Sequence, residues 1–228
     1  MAVPELPWYS NEHYRQRISR LCNIRWPCIE NNDERGRKMD VNTRTFCMVI
    51  RNRSEENRRA MHCFSTPHDV LSPAFSLLRQ ELDSMIRVIY LLTIEDAAER
   101  QRLIQSTLQG KKWTARTAKG KFRNITDREM VDLAQQLQGW TLSVYNFGCA
   151  FIHLSDFHNH LAQNPFEALS DLERQNILSH MRRYHGGPFN DRPDMKELAS
   201  YLPQVFEKIT GNLNCYLEQL EKGETVDS

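Results

Sequence analysis

LSPAFSLLRQELDSMIRVIYLLT, residues 71–93, is the stretch that decides the fold class. Leu71, Phe75, Leu78, Leu82, Met85, Ile86, Ile89 and Leu92 recur at three- and four-residue intervals, the period of one face of an α-helix. Pro73 falls near the start, where a missing N–H does no harm. So broad an apolar face has to be covered by other elements of the chain.

The flanking sequence supplies helices to cover it. A shorter helix is expected over 94–108, stopped at Gly110. TDRE at 126–129 has the capping-box pattern and predicts one long amphipathic helix from Thr126 to Leu161. Its core stripe would be Met130, Leu133, Leu137, Trp140, Val144, Phe147, Phe151, Leu154 and Leu161. Ser170 and Glu173 repeat the box and open a helix to about Tyr184. HGGPFNDRPD, 185–194, reads as a turn-rich loop, and Asp194–Leu220 as a closing helix interrupted near Pro203. No strands alternate with these helices. The expectation is an all-α helical bundle of four to six helices over residues 66–222, followed by a polar tail at 223–228.

Residues 1–65 read as an irregular segment with short helices. Ser10 would cap a helix over Asn11–Leu21, and RWPCIENNDERGRKMD, 25–40, would be a polar loop. Asn42 opens either a short helix or a strand through TFCMVI, 45–50, because so short an apolar run has no decisive period.

At 228 residues, with 40% hydrophobic and 26% charged residues, the composition is that of a globular domain. The longest apolar runs, such as IYLL at 89–92, are far too short to span a bilayer. The first residues, MAVPELPWYSNEHYRQR, lack the apolar core of a signal peptide, so a cytoplasmic location with no membrane contact is expected. In that compartment Cys22, Cys28, Cys47, Cys63, Cys149 and Cys215 should remain thiols. The gap between Cys22 and Cys28 is poor zinc-ligand spacing. No cofactor is expected.

Net charge is +1, but the charge is unevenly placed. Residues 110–126 hold six cations (Lys111, Lys112, Arg116, Lys119, Lys121, Arg123) and no acid, interleaved with Trp113 and Phe122. Residues 127–228 hold 15 acids against eight bases. Cations neutralise phosphates and aromatic faces stack on unpaired bases, so the 111–123 loop is the candidate polyanion-binding element, RNA being the candidate partner. A solvated surface loop is the alternative.

Two further groups carry candidate chemistry. Helical spacing would put His153, Asp156 and His160 on one face, as a metal-dependent hydrolase could use, with His180 and His185 as further ligands. Without an HExxH or a repeated ExxH, a packed polar patch is the simpler expectation, and no metal is assigned. His158, on the apolar stripe, reads as a core histidine. In the apolar helix, Arg79, Glu81 and Arg87 are expected to form structural ion pairs, because an unpaired buried charge is costly. A phosphate-binding arginine is the alternative.

LLRQELDSMIRVIYLL, 77–92, and VYNFGCAFIHLS, 144–155, resemble the two principal helices of the HEPN-like superfamily, in its uncharacterised abortive-infection-like branch of prokaryotic all-helical proteins. The resemblance covers roughly residues 70–160. It implies an all-helical fold, a homodimer, RNA or a nucleotide-related ligand, and a protein partner from a phage-defence or toxin–antitoxin system. It also implies metal-independent ribonuclease chemistry, with an arginine followed four to six residues later by a histidine. Histidine would move the proton while arginine stabilises the phosphate charge. Arg174 and His180 in RQNILSH have that spacing, with His153 or His185 assisting, whereas His153 has no arginine at the required distance upstream. A non-catalytic binding or assembly subunit, or an antidote, is the rival class.

Overall fold

The apolar face of residues 71–93 becomes the centre of the core formed by the described residues. The computed structural model describes residues 40–64, 70–117, 119–153, 155, 158 and 164–226. Its elements run α1 (Val41–Cys63), α2 (Leu71–Leu92), α3 (Ala97–Leu108), β1 (Thr114–Arg116), β2 (Phe122–Asn124), α4 (Asp127–Gln138) and α5 (Thr141–Ile152). A short 3-10 turn at Pro165–Ala168 precedes α6 (Asp171–His185), α7 (Met195–Ala199) and α8 (Leu202–Glu221). Helix α2 packs chiefly against α8 and α5, then α4 and α1. All eight of its predicted core positions are buried. The expected all-α bundle is what the chain forms.

The bundle begins well before residue 66. Asp40 accepts hydrogen bonds from the backbone N–H groups of Asn42 and Thr43 and starts a 23-residue helix, α1, where an irregular or short-helix segment was expected. Asp40, rather than Asn42, is the cap. Phe46, Cys47, Ile50 and Met61 bury one side of α1 in the common core. The low hydrophobicity of the other side hid this helix from a reading by apolar period. Asn11–Leu21, Cys22, Cys28, Leu154, Asp156, His160 and Leu161 lie outside the described residues.

The predicted long helix of 126–161 is two helices. The Thr126–Glu129 capping box opens α4 as expected, but Gly139 adopts φ 73°, a left-handed cap, and ends it. Trp140 and Thr141 then start α5, with the Gln135 side chain accepting from the Leu142 N–H and the Thr141 hydroxyl. The apolar stripe crosses this break, so periodicity alone could not show it. Leu137, expected in the core, is 38% exposed because the helix ends one residue later, at Gln138. Helix α5 stops at Ile152, and Ser155 Oγ donates back to the Ala150 carbonyl.

The remaining boundaries follow their signals. Ser170 and Glu173 form the second capping box, and α6 runs to His185 before Gly186. The closing helix is interrupted as expected, with Pro203 in the first turn of α8. The tail is tied down at its start: the Val226 N–H donates to Leu92 O, and Arg100 donates to the Glu224 and Ile94 carbonyls. Cys47, Cys63, Cys149 and Cys215 are free thiols, and burial pushes the Cys47 thiol up to about 12.

Candidate nucleic-acid interface and histidine cleft

The basic loop is an ordered β-hairpin rather than an irregular connection. Thr114, Ala115 and Arg116 pair antiparallel with Asn124, Arg123 and Phe122. Gly120, at φ 75°, closes the turn by donating to Thr117 O, and the Thr117 N–H donates to Lys121 O. Below the strands the Ile125 N–H donates to Trp113 O, which roots the hairpin in the bundle.

Trp113 was a candidate base-stacking residue, and its burial overturns that role. Only 3% of it is exposed, and its indole N–H donates to Thr107 Oγ1 at 2.7 Å. The Arg87 guanidinium lies 5.4 Å from the ring centroid and Tyr90 packs beside it. Trp113 is the anchor of the hairpin, not its reading head. Phe122 is the exposed aromatic, 58% accessible, with Arg116 and Arg102 close to its ring.

Of the six loop cations, Arg123 is held by Glu129 at 2.6 Å and Arg116 lies over Phe122. Lys111, Lys112, Lys119 and Lys121 are exposed, and among the described residues none has an ion-pair partner. Four exposed ammonium groups on or next to the hairpin give this segment an excess of positive charge.

Behind the hairpin, the arginines of α2 are structural. Arg79 pairs with Asp127 at 3.1 Å and sits 4.5 Å over the Tyr145 ring. Arg87 bonds both Asp83 and Asp127 at about 3 Å. Glu81 takes no part, since residues two apart on a helix point to opposite sides. It is fully buried between α2, α1 and α8, accepting from Ser54 Oγ, Asn57 Nδ2 and Thr210 Oγ1. Ion pairing was legible in the sequence, but the partners were not, because Asp127 is 48 residues from Arg79.

Arg174 and His180 are on the same helix but not at one site. Six residues separate them by roughly 120° around the helix. Arg174 is ion-paired to Asp171, donates to Glu167 O, and lines a polar cleft with Ser179, Arg182 and Arg192. His180 lines a different, apolar cleft with His185 and Trp140. Arg58 and His62 on α1 lie four apart and share a face, but Arg58 is ion-paired to Glu55 and His62 Nε2 lies 3.4 Å from a Glu207 carboxylate oxygen.

His153 is exposed at the end of α5 with φ −95° and ψ 140°, so helical spacing does not continue through it. The helical spacing expected to join His153 with Asp156 and His160 is therefore broken at His153. Among the described residues no group of three His, Cys, Asp or Glu could hold a metal ion. His158, expected in the core, is exposed and meets Phe151 only edge-on.

The second cleft, about 120 Å³, lies between α2, α5, α6 and α8. Phe75, Phe147, Val144, Ile177 and Leu202 supply apolar walls, and His180, His185 and Lys208 supply the polar side. Burial pushes the His185 imidazolium down to about 4, with His180 and Lys208 adding repulsion. His180 is also lowered, first by burial and then by Lys208 and Arg183. Both are neutral near pH 7.

A pH dependence of stability follows. The unfolded chain takes up the His185 proton near 6.5 and the folded chain only near 4, so this contribution is present above 6.5 and lost as pH falls between them. The expected loss is about 2 kcal/mol after discounting for partial exposure. His185→Phe should remove it, giving a variant steadier than the parent at pH 4.5 in urea unfolding; identical acid sensitivity would refute the assignment.

No helix among the described residues is long and apolar enough to cross a membrane. Comparison of the chain with protein-family models, curated proteins and solved structures finds no match.

Proposed function

We propose that this chain is a HEPN-like helical bundle that binds single-stranded RNA through the 111–124 hairpin, acting in the cytoplasm within a phage-defence or toxin system. The observation that carries the reading is the set of four exposed, unpaired lysines on an anchored hairpin. Backbone phosphates meet the lysines, and Phe122 offers an aromatic surface beside the strand. The acidic balance of residues 127–228 suits a second role, contact with a basic partner surface or with a second copy.

Binding has more support than cleavage. Arg174 is engaged by its own helix and faces a different cleft from His180, so a single copy does not bring both to one phosphate. If RNA is cut during incubation and His180→Ala stops the cutting, a ribonuclease formed between two copies is the better reading.

The test is fluorescence anisotropy with a labelled single-stranded RNA over a salt series. Replacing Lys111, Lys112, Lys119 and Lys121 with alanine should flatten the slope of log affinity against log salt by roughly 3, since each single-strand phosphate contact contributes about 0.7. Phe122→Ala should weaken binding about tenfold with the slope unchanged. Wild-type affinity in the lysine variant rules the hairpin out.

A further inference from the structure

Beside the neutral Ser143 and Asn176, the ionisable groups that line the apolar cleft are all basic. His180 and His185 come from α6 and Lys208 from α8, and none of the described lining residues is acidic. Lys208 has no ion-pair partner among the described residues; it stands at the exposed rim, 5.8 Å from the Tyr184 ring. Aromatic rings line the cleft as well: Phe75 and Phe147 stack with centroids 5.8 Å apart, and Trp140 approaches the His180 ring at 6.3 Å.

From this pairing of an aromatic wall with a cationic rim, we infer that the cleft binds a small aromatic carboxylate, its ring against Phe75, Phe147 and Trp140 and its carboxylate toward Lys208, His180 and His185. The size fits: about 120 Å³ is close to the ~150 Å³ of an apolar cavity that takes up benzene. Larger drug-like ligands need several-fold more room. The charge fits as well. A carboxylate accepts from the Lys208 ammonium and from imidazole N–H groups in charge-assisted hydrogen bonds, and meets no carboxylate in the described lining. The carbonyl end of α6 near His185 opposes an anion, but that effect is screened and weaker than a charge-assisted bond. A neutral aromatic molecule would fill the walls and leave the ammonium unanswered.

This site is separate from the hairpin and does not depend on RNA binding. The test is titration of the full chain with benzoate and with benzamide, its neutral counterpart of similar shape, followed by amide and imidazole NMR shifts. Benzoate should shift signals of His180, His185 and Trp140 at millimolar concentration or below, at least tenfold more tightly than benzamide. Lys208→Gln should weaken benzoate at least fivefold and leave benzamide unchanged. Ser143→Phe, which fills the cleft from α5, should abolish both while preserving the folded spectrum. The inference is overturned if benzamide binds as well as benzoate, if Lys208→Gln changes nothing, if neither compound binds, or if benzoate shifts only hairpin lysines.

Discussion

Gly148→Val is expected to destabilise the bundle by about 3 kcal/mol. A Cβ at Gly148 would lie 2.7 Å from Arg79 Cβ and 3.1 Å from its Cγ and Cδ. Arg79 Cβ is fixed by the backbone of α2, so the α2–α5 contact must open rather than a side-chain tip move aside. Opening it also lifts the guanidinium off Tyr145 and away from Asp127. Alanine separates the two contributions. In a free helix Gly→Ala is favourable by about 1 kcal/mol, whereas overpacking costs 1–3 kcal/mol. Gly148→Ala should therefore lose about 1 kcal/mol. Urea unfolding of the two variants checks the order; an alanine variant more stable than the parent would show that the helices have slack.

Glu81→Ala is the other large effect, again about 3 kcal/mol, because it strands Ser54, Asn57 and Thr210, three buried polar groups on two neighbouring helices. Glu81→Gln is the informative companion. Burial, the largest influence, raises the Glu81 carboxyl above its ordinary 4.5, while the hydrogen bonds from Ser54, Asn57 and Thr210 pull the other way. The folded chain thus holds this proton more tightly than the unfolded one. That contribution is complete below 4.5 and is lost as pH rises through the folded value. Glutamine has no proton to lose, so Glu81→Gln should gain on the parent as pH rises above 4.5. Parallel stability curves would refute it. His185 produces the opposite slope in an overlapping range, so the Glu81 and His185 variants must be measured separately and together to resolve the two.

Local signals in the sequence were reliable where the physics is local. Both capping boxes sit at the residues whose side chains accept from the N3 amide, because Ser or Thr followed three residues later by Glu satisfies helix-end donors without help from elsewhere. The core face of α2 was legible for a similar reason, since three-four spacing is a property of one helix. The break at Gly139 was not, because the apolar spacing carries on across it and glycine is also tolerated inside helices. Helix α1 escaped because it is mostly polar: its stability comes from a narrow apolar strip packed on α8 and α3.

The candidate sites divide along the same line. Six cations in 17 residues are a fact of composition, and four of them, Lys111, Lys112, Lys119 and Lys121, are exposed with no ion-pair partner among the described residues. Which aromatic serves them was decided by tertiary packing, where Arg87 and Thr107 draw Trp113 inward and Phe122 is left outside. Arg174 and His180 show the limit most clearly. They are close in sequence, yet the turn of α6 directs one to a polar cleft and the other to an apolar one. By itself the sequence determined an all-helical fold, its capped helix starts and a basic segment, because caps, periodicity and charge act over a few residues. Only the tertiary structure decided where helices break, which acid meets each arginine and which histidines share a cavity with Lys208, because those depend on contacts between residues tens of positions apart.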